Sequence, residues 1–227
     1  MLQLPLDIRL DDTARFDNFF FEGNAQLFFK LQSLRNSEKD FVFIWGNGNS
    51  GKSHLAQAIC QDFAQNEQMA IYLPLDNQQL EPQILEGLDY AKLVCLDDLE
   101  AILGDRRWEA AIFNLFNILK AKEKQLVIFS ELANNQSDIR LADLKSRLSS
   151  METYRLNDLN DAQRLAFIVK MGKTRGLDIS EDAAQFLLVR TQRDISNLTS
   201  IIKLLDQESL VQKRRITIPF IKQVLEL

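Results

Sequence analysis

The chain is poor in the residues that build metal and redox sites. Its 227 residues include one histidine and two cysteines, too few for a disulfide framework or a His/Cys zinc cluster. Cys60 and Cys95 both lie in apolar stretches and read as small buried hydrophobes. No apolar run approaches the ~18 residues that a membrane-spanning helix needs. Asp7 and Arg9 fall where a signal peptide would carry its apolar core. These absences predict a cytoplasmic protein with no membrane partner. Positive charge is not in excess either: a net charge of −5 and a pI near 5.1 argue against a protein that grips duplex DNA unaided. Repeats and low-complexity tracts are also missing. With 46% hydrophobic and 26% charged residues, the chain is globular and long enough to bury a full core, with room for two domains.

Glycine is sparse as well, eight in all, yet three of them fall within Gly46-Asn47-Gly48-Asn49-Ser50-Gly51-Lys52-Ser53. This stretch fits G-x-x-x-x-G-K-[ST] at every specified position. The glycines let consecutive backbone N–H groups converge on an oxyanion, Lys52 can reach the β and γ phosphates, and the Ser53 hydroxyl can ligate Mg²⁺. A helix starting near Lys52 adds the positive end of its dipole. The flanks have the order this mechanism requires. Phe41-Val42-Phe43-Ile44-Trp45 reads as a buried strand, and Leu55, Ala56, Ile59, Cys60 and Phe63 recur at helical spacing. His54 follows Ser53 directly and could feel bound phosphates; packing or surface exposure is its other reading.

Downstream, strand-like and helical segments alternate. Residues 70–75 and 92–96 read as strands, 81–88 as a short helix, 107–122 as a strongly amphipathic helix and 126–129 as a further strand. Continuous apolar strands separated by helices predict a parallel sheet covered on both faces. From about Asp158 the pattern becomes helical throughout, over 161–171, 180–189, 194–210 and 217–227, which places a domain boundary near Leu156. A second chemical motif is Leu93-Val94-Cys95-Leu96-Asp97-Asp98, an apolar strand ending in two carboxylates. Beside a phosphate-binding loop, Asp97 is expected to hold the Mg²⁺ shell and Asp98 to orient or deprotonate water. Aspartate is shorter than the glutamate usual in efficient hydrolases, so slow turnover is expected even so.

Taken together, the phosphate loop, the Asp-Asp strand end, a later strand ending in Ser130-Glu131 and an all-helical C-terminal region resemble an AAA+ module: an α/β P-loop NTPase domain with a parallel sheet, followed by a small helical lid. Arg15-Phe16-Asp17-Asn18-Phe19 resembles the segment that leads into it. The stretches Trp108-Glu109-x-Ala111-Ile112-Phe113-Asn114-Leu115-Phe116-Asn117, Asp143-Leu144-x-Ser146-Arg147-Leu148 and Thr217-Ile218-Pro219-Phe220-Ile221-Lys222 resemble the Hda family of AAA+ proteins, relatives of the replication initiator DnaA. The resemblance covers essentially the whole chain. It implies a negative regulator of replication initiation that rides on the DNA-loaded sliding clamp (the β subunit of DNA polymerase III) and stimulates ATP hydrolysis by DnaA, meeting DNA only through the clamp.

Carried over position by position, the resemblance implies that Arg147 is an arginine finger supplied in trans. It implies a resident ADP (or ATP) with Mg²⁺ on residues 46–53, and a γ-phosphate reporter at Ser130. It also implies an N-terminal clamp-binding segment (1–12), an α/β domain (13–156) and a lid (157–227). Gln3-Leu4-Pro5-Leu6 resembles the clamp-binding motif, whose proline stiffens the segment before its leucines dock. There the alignment puts Met1 where the family's key glutamine stands, leaving Gln3 as the substitute. In the lid, the family's sensor arginine falls at Ser196, and Arg193, three residues earlier and near the same helical face, is the cation left to reach the phosphates. Homo-oligomerisation is left open.

Two other function classes fit a P-loop chain. A self-sufficient ATPase such as a helicase loader would need a basic or aromatic channel for single-stranded DNA, and Lys213-Arg214-Arg215 is the one basic run. An initiator would need a helix-turn-helix domain after the lid, and the sequence ends at Leu227. The adaptor reading is therefore the expectation.

Overall fold

The four apolar runs read as strands are all strands in a computed structural model, which describes residues 10–11, 14–134 and 138–227, and a fifth joins them. Strands β1 (Phe41–Trp45), β2 (Ala70–Pro74), β3 (Leu93–Asp97), β4 (Gln125–Ser130) and β5 (Glu152–Arg155) form one sheet in the order β2-β3-β4-β1-β5, with every pairing parallel. Alternation along each strand sends side chains to opposite faces. Phe43, Val94, Leu96, Leu126 and Ile128 pack against α3 (Arg106–Ala121) and α4 (Ala142–Ser149) through Ile112, Leu115, Phe116, Leu119, Leu144 and Leu148. Val42, Ile44, Cys95, Val127 and Phe129 pack against α1 (Ala25–Ser33) and α2 (Lys52–Gln65) through Leu27, Leu31, Ile59, Cys60 and Phe63. Apolar surface on both faces is why the strands read as unbroken hydrophobic runs. Both cysteines are buried and unbridged, and burial pushes the Cys95 thiol up.

The order of strands positions the site. The chain leaves β1 for the far edge at β2, returns through β3 to β4, and then crosses β1 to reach β5. The carboxyl ends of β3, β4 and β1 therefore lie side by side, at the reversal where open α/β sheets bind ligands. Four elements differ from expectation. Residues 81–88 form two 3₁₀ turns, Pro82–Leu85 and Leu88–Tyr90, because Pro82 removes an amide and Gly87 turns left-handed at φ 74°. Strand β5 is Glu-Thr-Tyr-Arg, an edge strand whose polar content hides it from a search for apolar runs. Helices α1 and α4 are additional. The start of α1 is clipped to the chain after β5 by a reciprocal pair: Asn24 Nδ2 donates to the Asn157 carbonyl (3.1 Å), and the Asn157 amide donates to Asn24 Oδ1 (2.8 Å).

The chain divides into two compact units, one of residues up to Gly48 and Lys52–Asn157, the other of Asn49–Gly51 and Asp158–Leu227. The second unit is made of α5 (Asp161–Thr174), α6 (Glu181–Arg190), α7 (Ile195–Gln212) and α8 (Ile218–Leu225). Each helix starts where a side chain can accept its orphan amides: Asn160 in a capping box with Gln163, then Ser180, Asp194 and Thr217. Phe167, Ile168, Leu187, Leu188, Leu198, Ile202, Leu205, Phe220 and Ile221 fill the core. Gly172 lies so close to Ile179 that a Cβ would stand 2.8 Å from its Cδ1, so any larger residue there would displace that side chain. Among the described residues no helix is long and apolar enough to cross a membrane.

Candidate functional site

The loop after β1 keeps to the sheet for one more residue, with the Gly46 amide donating to the Ser130 carbonyl of β4 at 3.1 Å. It then turns through Asn49 (φ 58°) and Gly51 (φ 98°), left-handed positions of the kind that aim successive amides to one side. Helix α2 begins at Lys52. The Lys52 side chain is only 5% exposed, and its ammonium donates to the carbonyls of Gly46 (3.0 Å) and Asn47 (2.9 Å), with Glu131 Oε1 at 3.9 Å. Gly48 is a close approach: a Cβ there would stand 2.8 Å from Glu131 Oε1. The Ser50 hydroxyl is buried and has no hydrogen-bond partner among the described residues. A buried ammonium, a loop with left-handed turns and an unsatisfied hydroxyl are features that a phosphate group could use, so the residues fit a nucleotide.

The strand-end acids lie beside this loop. Asp97 is fully buried. It accepts from the Ser53 hydroxyl, from Tyr72 Oη at 3.0 Å and from the Asp98 amide at 3.1 Å. Burial pushes its carboxyl above the ordinary value, opposed by those hydrogen bonds and by the nearby Lys52 charge. The two residues expected to share Mg²⁺, Ser53 and Asp97, are thus in direct contact, an oxygen-rich pair suited to a hard cation. Burial also raises the Tyr72 phenol, with the charge and hydrogen bond of Asp97 adding to it. Asp98 sits at φ 54°, left-handed, at the head of the 3₁₀ turn Leu99–Ile102. Its carboxyl is pushed up to about 7, first by burial and then by the charges of Asp97, Asp76 and Glu100. Ser130 is buried, and its hydroxyl donates to Glu100 Oε2 at 2.9 Å, the oxygen that also accepts from the Glu131 amide at 2.9 Å.

Glu100 and Tyr72 are the residues that sequence reasoning missed. Neither belongs to a spaced motif; a carboxylate two residues beyond Asp98 was the available signal for Glu100. The His54 Nε2 lies 3.0 Å from the Arg15 carbonyl and its ring 5.7 Å from that of Phe19, at the edge of a cluster with Phe16, Phe21 and Phe28. In the helical unit Arg193 is exposed and pairs with Asp161 Oδ2 at 3.0 Å, while Ser196 is exposed on the first turn of α7. The motif Gln3-Leu4-Pro5-Leu6 lies outside the described residues.

Arg147 occupies the last turn of α4, half-buried. Its guanidinium carbon lies 5.8 Å from the Phe116 ring centre and 6.0 Å from that of Phe113, and among the described residues it has no ion-pair partner. Ring faces hold a cation by their quadrupole and leave its charge in place.

The fold recurs among solved structures. Over 96% of this chain and 98% of the other, it superposes on domain III of the Thermotoga maritima replication initiation protein DnaA with a TM-score of 0.80 at 20% identity. AMPPCP-bound DnaA from Aquifex aeolicus matches with a TM-score of 0.75 at 24% identity, over 90% of this chain and 70% of that one. At these identities the likeness shows an AAA+ fold. In sequence, an uncharacterised protein of Haemophilus influenzae is 40% identical over 231 residues, covering 99% of both chains. Residues 161–225 match the model of the Hda lid domain. By its lid and its fold, this chain belongs to the Hda family of AAA+ proteins related to DnaA.

Proposed function

We propose that this chain is a nucleotide-bound negative regulator of DNA replication initiation that stimulates ATP hydrolysis by the initiator DnaA, with Arg147 supplied in trans as an arginine finger. The observation that carries this reading is the seat of Arg147, inside a family related to DnaA. Many surface arginines are neutralised by a carboxylate, as Arg164 is by Asp161. This one is held by two aromatic rings with its charge intact and part of its surface open. In the partner's reaction, negative charge spreads over the transferred phosphoryl oxygens. A guanidinium placed there is worth ~10³–10⁵ in rate, or about 4–7 kcal/mol.

The chain's own pocket holds ADP or ATP through the amides of residues 46–51, Lys52 and Ser53, with Mg²⁺ on Ser53 and Asp97. Bound magnesium supplies positive charge to the phosphate oxygens there. Asp98 is the acid available to a water, but it is short and sits on a left-handed turn, so turnover of this chain's own nucleotide is slow. Docking on the sliding clamp falls to Gln3-Leu4-Pro5-Leu6, and DNA is met only through the clamp.

The test is DnaA's ATP turnover on clamp-loaded DNA with and without this protein. Stimulation is expected with the native chain and is lost in Arg147→Ala, which retains its fold and clamp affinity. Removal of residues 1–6 is expected to abolish clamp binding. Stimulation retained by Arg147→Ala would exclude the finger. ATP hydrolysis by this protein alone, without effect on DnaA, would instead favour a self-sufficient ATPase.

A further inference from the structure

We propose that Glu109 is a positioning residue for Arg147, fixing the start of α4 on α3 so that the guanidinium reaches its working place; this rests on the arginine-finger reading above. Glu109 lies in the first turn of α3 and is fully buried. Among the described residues no cation pairs with it. Its partners are backbone amides: Oε1 accepts from Gly104 (3.0 Å) and Arg140 (3.1 Å), Oε2 from Arg140 (3.1 Å) and Leu141 (2.7 Å). A buried carboxylate is tolerated only where such donors converge on it, and convergence from two separate loops fixes both loops relative to α3. One is the loop that follows the Asp97-Asp98 strand end. The other leads directly into α4, whose first flanking residue, Leu141, has no side chain able to cap the helix. The Glu109 carboxylate serves at that point instead.

The link to Arg147 is geometric. Glu109, Phe113 and Phe116 are spaced i, i+4 and i+7 on α3 and so form one stripe. The carboxylate holds the head of α4, and the two rings lie under Arg147 near its end. Arg147 lies six positions beyond Leu141, about 9 Å of stiff helix, so a shift at the head is delivered to the guanidinium. Misplacement by about 1 Å can cost ~10²-fold in rate.

The experiment uses the full chain carrying Glu109→Gln, an isostere that presents a donor where at least one amide needs an acceptor. DnaA turnover is followed as a function of the concentration of this protein. The stimulated kcat is expected to fall about 10- to 100-fold, with the half-saturating concentration and the chain's own ADP affinity unchanged within about twofold. Amides 140–148 should exchange hydrogen faster while β1 and β4 keep their protection. Ile59→Ala, a cavity on the opposite face of the sheet, is the control for general destabilisation and should leave kcat unchanged in the folded protein. Should Glu109→Gln fail to fold, Leu141→Pro deletes one donor while keeping the carboxylate satisfied by Gly104 and Arg140; φ at 141 is −82°, which proline tolerates. It should lower kcat in the same sense. A native kcat in either folded variant, with Arg147→Ala inactive, overturns the role of Glu109 and leaves the finger standing. A native kcat in Arg147→Ala overturns both. An equal fall of kcat in Ile59→Ala reduces Glu109 to a structural group and also overturns the proposal.

Discussion

Replacing Lys52 by methionine separates what the ammonium does for the loop from what it does for a nucleotide. Methionine keeps the apolar stem and deletes the charge. In the native chain that charge makes two bonds to loop carbonyls, at 3.0 and 2.9 Å. Hydrogen bonds to charged groups are worth about 1.5–3 kcal/mol each, but the released carbonyls can be rehydrated and the cost of burying an ammonium disappears. The net loss of stability without ligand is therefore about 1–2 kcal/mol, or roughly 2–8 °C in Tm at 2–4 °C per kcal/mol for a chain of this size. Ligand linkage gives the second number. ADP with Mg²⁺ at 100 times Kd adds about 2.7 kcal/mol to the native protein, a rise of roughly 5–11 °C. In Lys52→Met the same ADP concentration should raise Tm by less than about 2 °C. Differential scanning fluorimetry of both proteins, with and without ADP and Mg²⁺, measures all four states. Equal ADP-induced shifts in the two proteins would refute the assignment of this loop as the phosphate cradle.

Phe113→Leu keeps most of the apolar volume under Arg147 and removes one ring face. It should lower stimulated DnaA turnover by about 2- to 5-fold, in line with a cation–π contact of ~0.5–1 kcal/mol, without changing half-saturation. Lys30 bonds Asp40 Oδ1 at 2.6 Å and Glu152 Oε2 at 2.7 Å, tying α1 to β5. Burial would lower Lys30, but these bonds outweigh it and leave it raised, while the Lys30 and Tyr154 hydrogen bonds lower Glu152. A lowered acid contributes stability above its unfolded value, near 4.5, and loses it as pH falls through the folded one; a raised lysine keeps its contribution until pH climbs past 10.5. The coupling between Lys30→Met and Glu152→Gln, measured by urea unfolding, should thus be about 0.5–1 kcal/mol at pH 7 and fade between about pH 5 and 3; a constant value would exclude the pair as its source. Both thiols should react with Ellman's reagent at pH 7.5 only as the protein unfolds, since Cys60 and Cys95 are buried and burial raises Cys95; a fast-reacting thiol in the native protein would contradict this packing.

The parts of the fold visible in the sequence are those whose burial is continuous. Strands β1 to β4 are covered on both faces, so Phe41–Trp45 and Leu93–Asp97 appear as unbroken apolar runs, and α3 carries a full stripe from Trp108 to Leu119. Strand β5 is hidden because an edge strand with polar side chains is defined by its pairing with β1, which no local pattern encodes. At 81–88 the apolar spacing suggests a helix, but Pro82 and Gly87 set the backbone, and two 3₁₀ turns result. In the candidate site, residues 46–53 stand out in the sequence because they form one contiguous loop, and Asp97 because it ends an apolar strand.

Residues that orient others follow a different rule. Glu100 takes its meaning from Ser130 and the Glu131 amide, thirty residues away in sequence, and Tyr72 from Asp97. Backbone amides are offered by every residue except proline, so a carboxylate that gathers them needs no particular partner side chain and leaves no spacing to detect. Burial exposes such groups instead. A carboxylate at no exposure, without a cation, must be surrounded by converging donors, and the segments that supply those donors are the ones it holds in place. On α3, Glu109 differs from its neighbours in the amphipathic stripe: Ile112, Leu115 and Leu119 are buried to exclude water, whereas the Glu109 carboxylate is buried against its desolvation cost and is compensated by the amides of Gly104, Arg140 and Leu141, which it thereby fixes. Periodicity shows which face of a helix is covered; the odd polar residue within that face shows what the helix is holding.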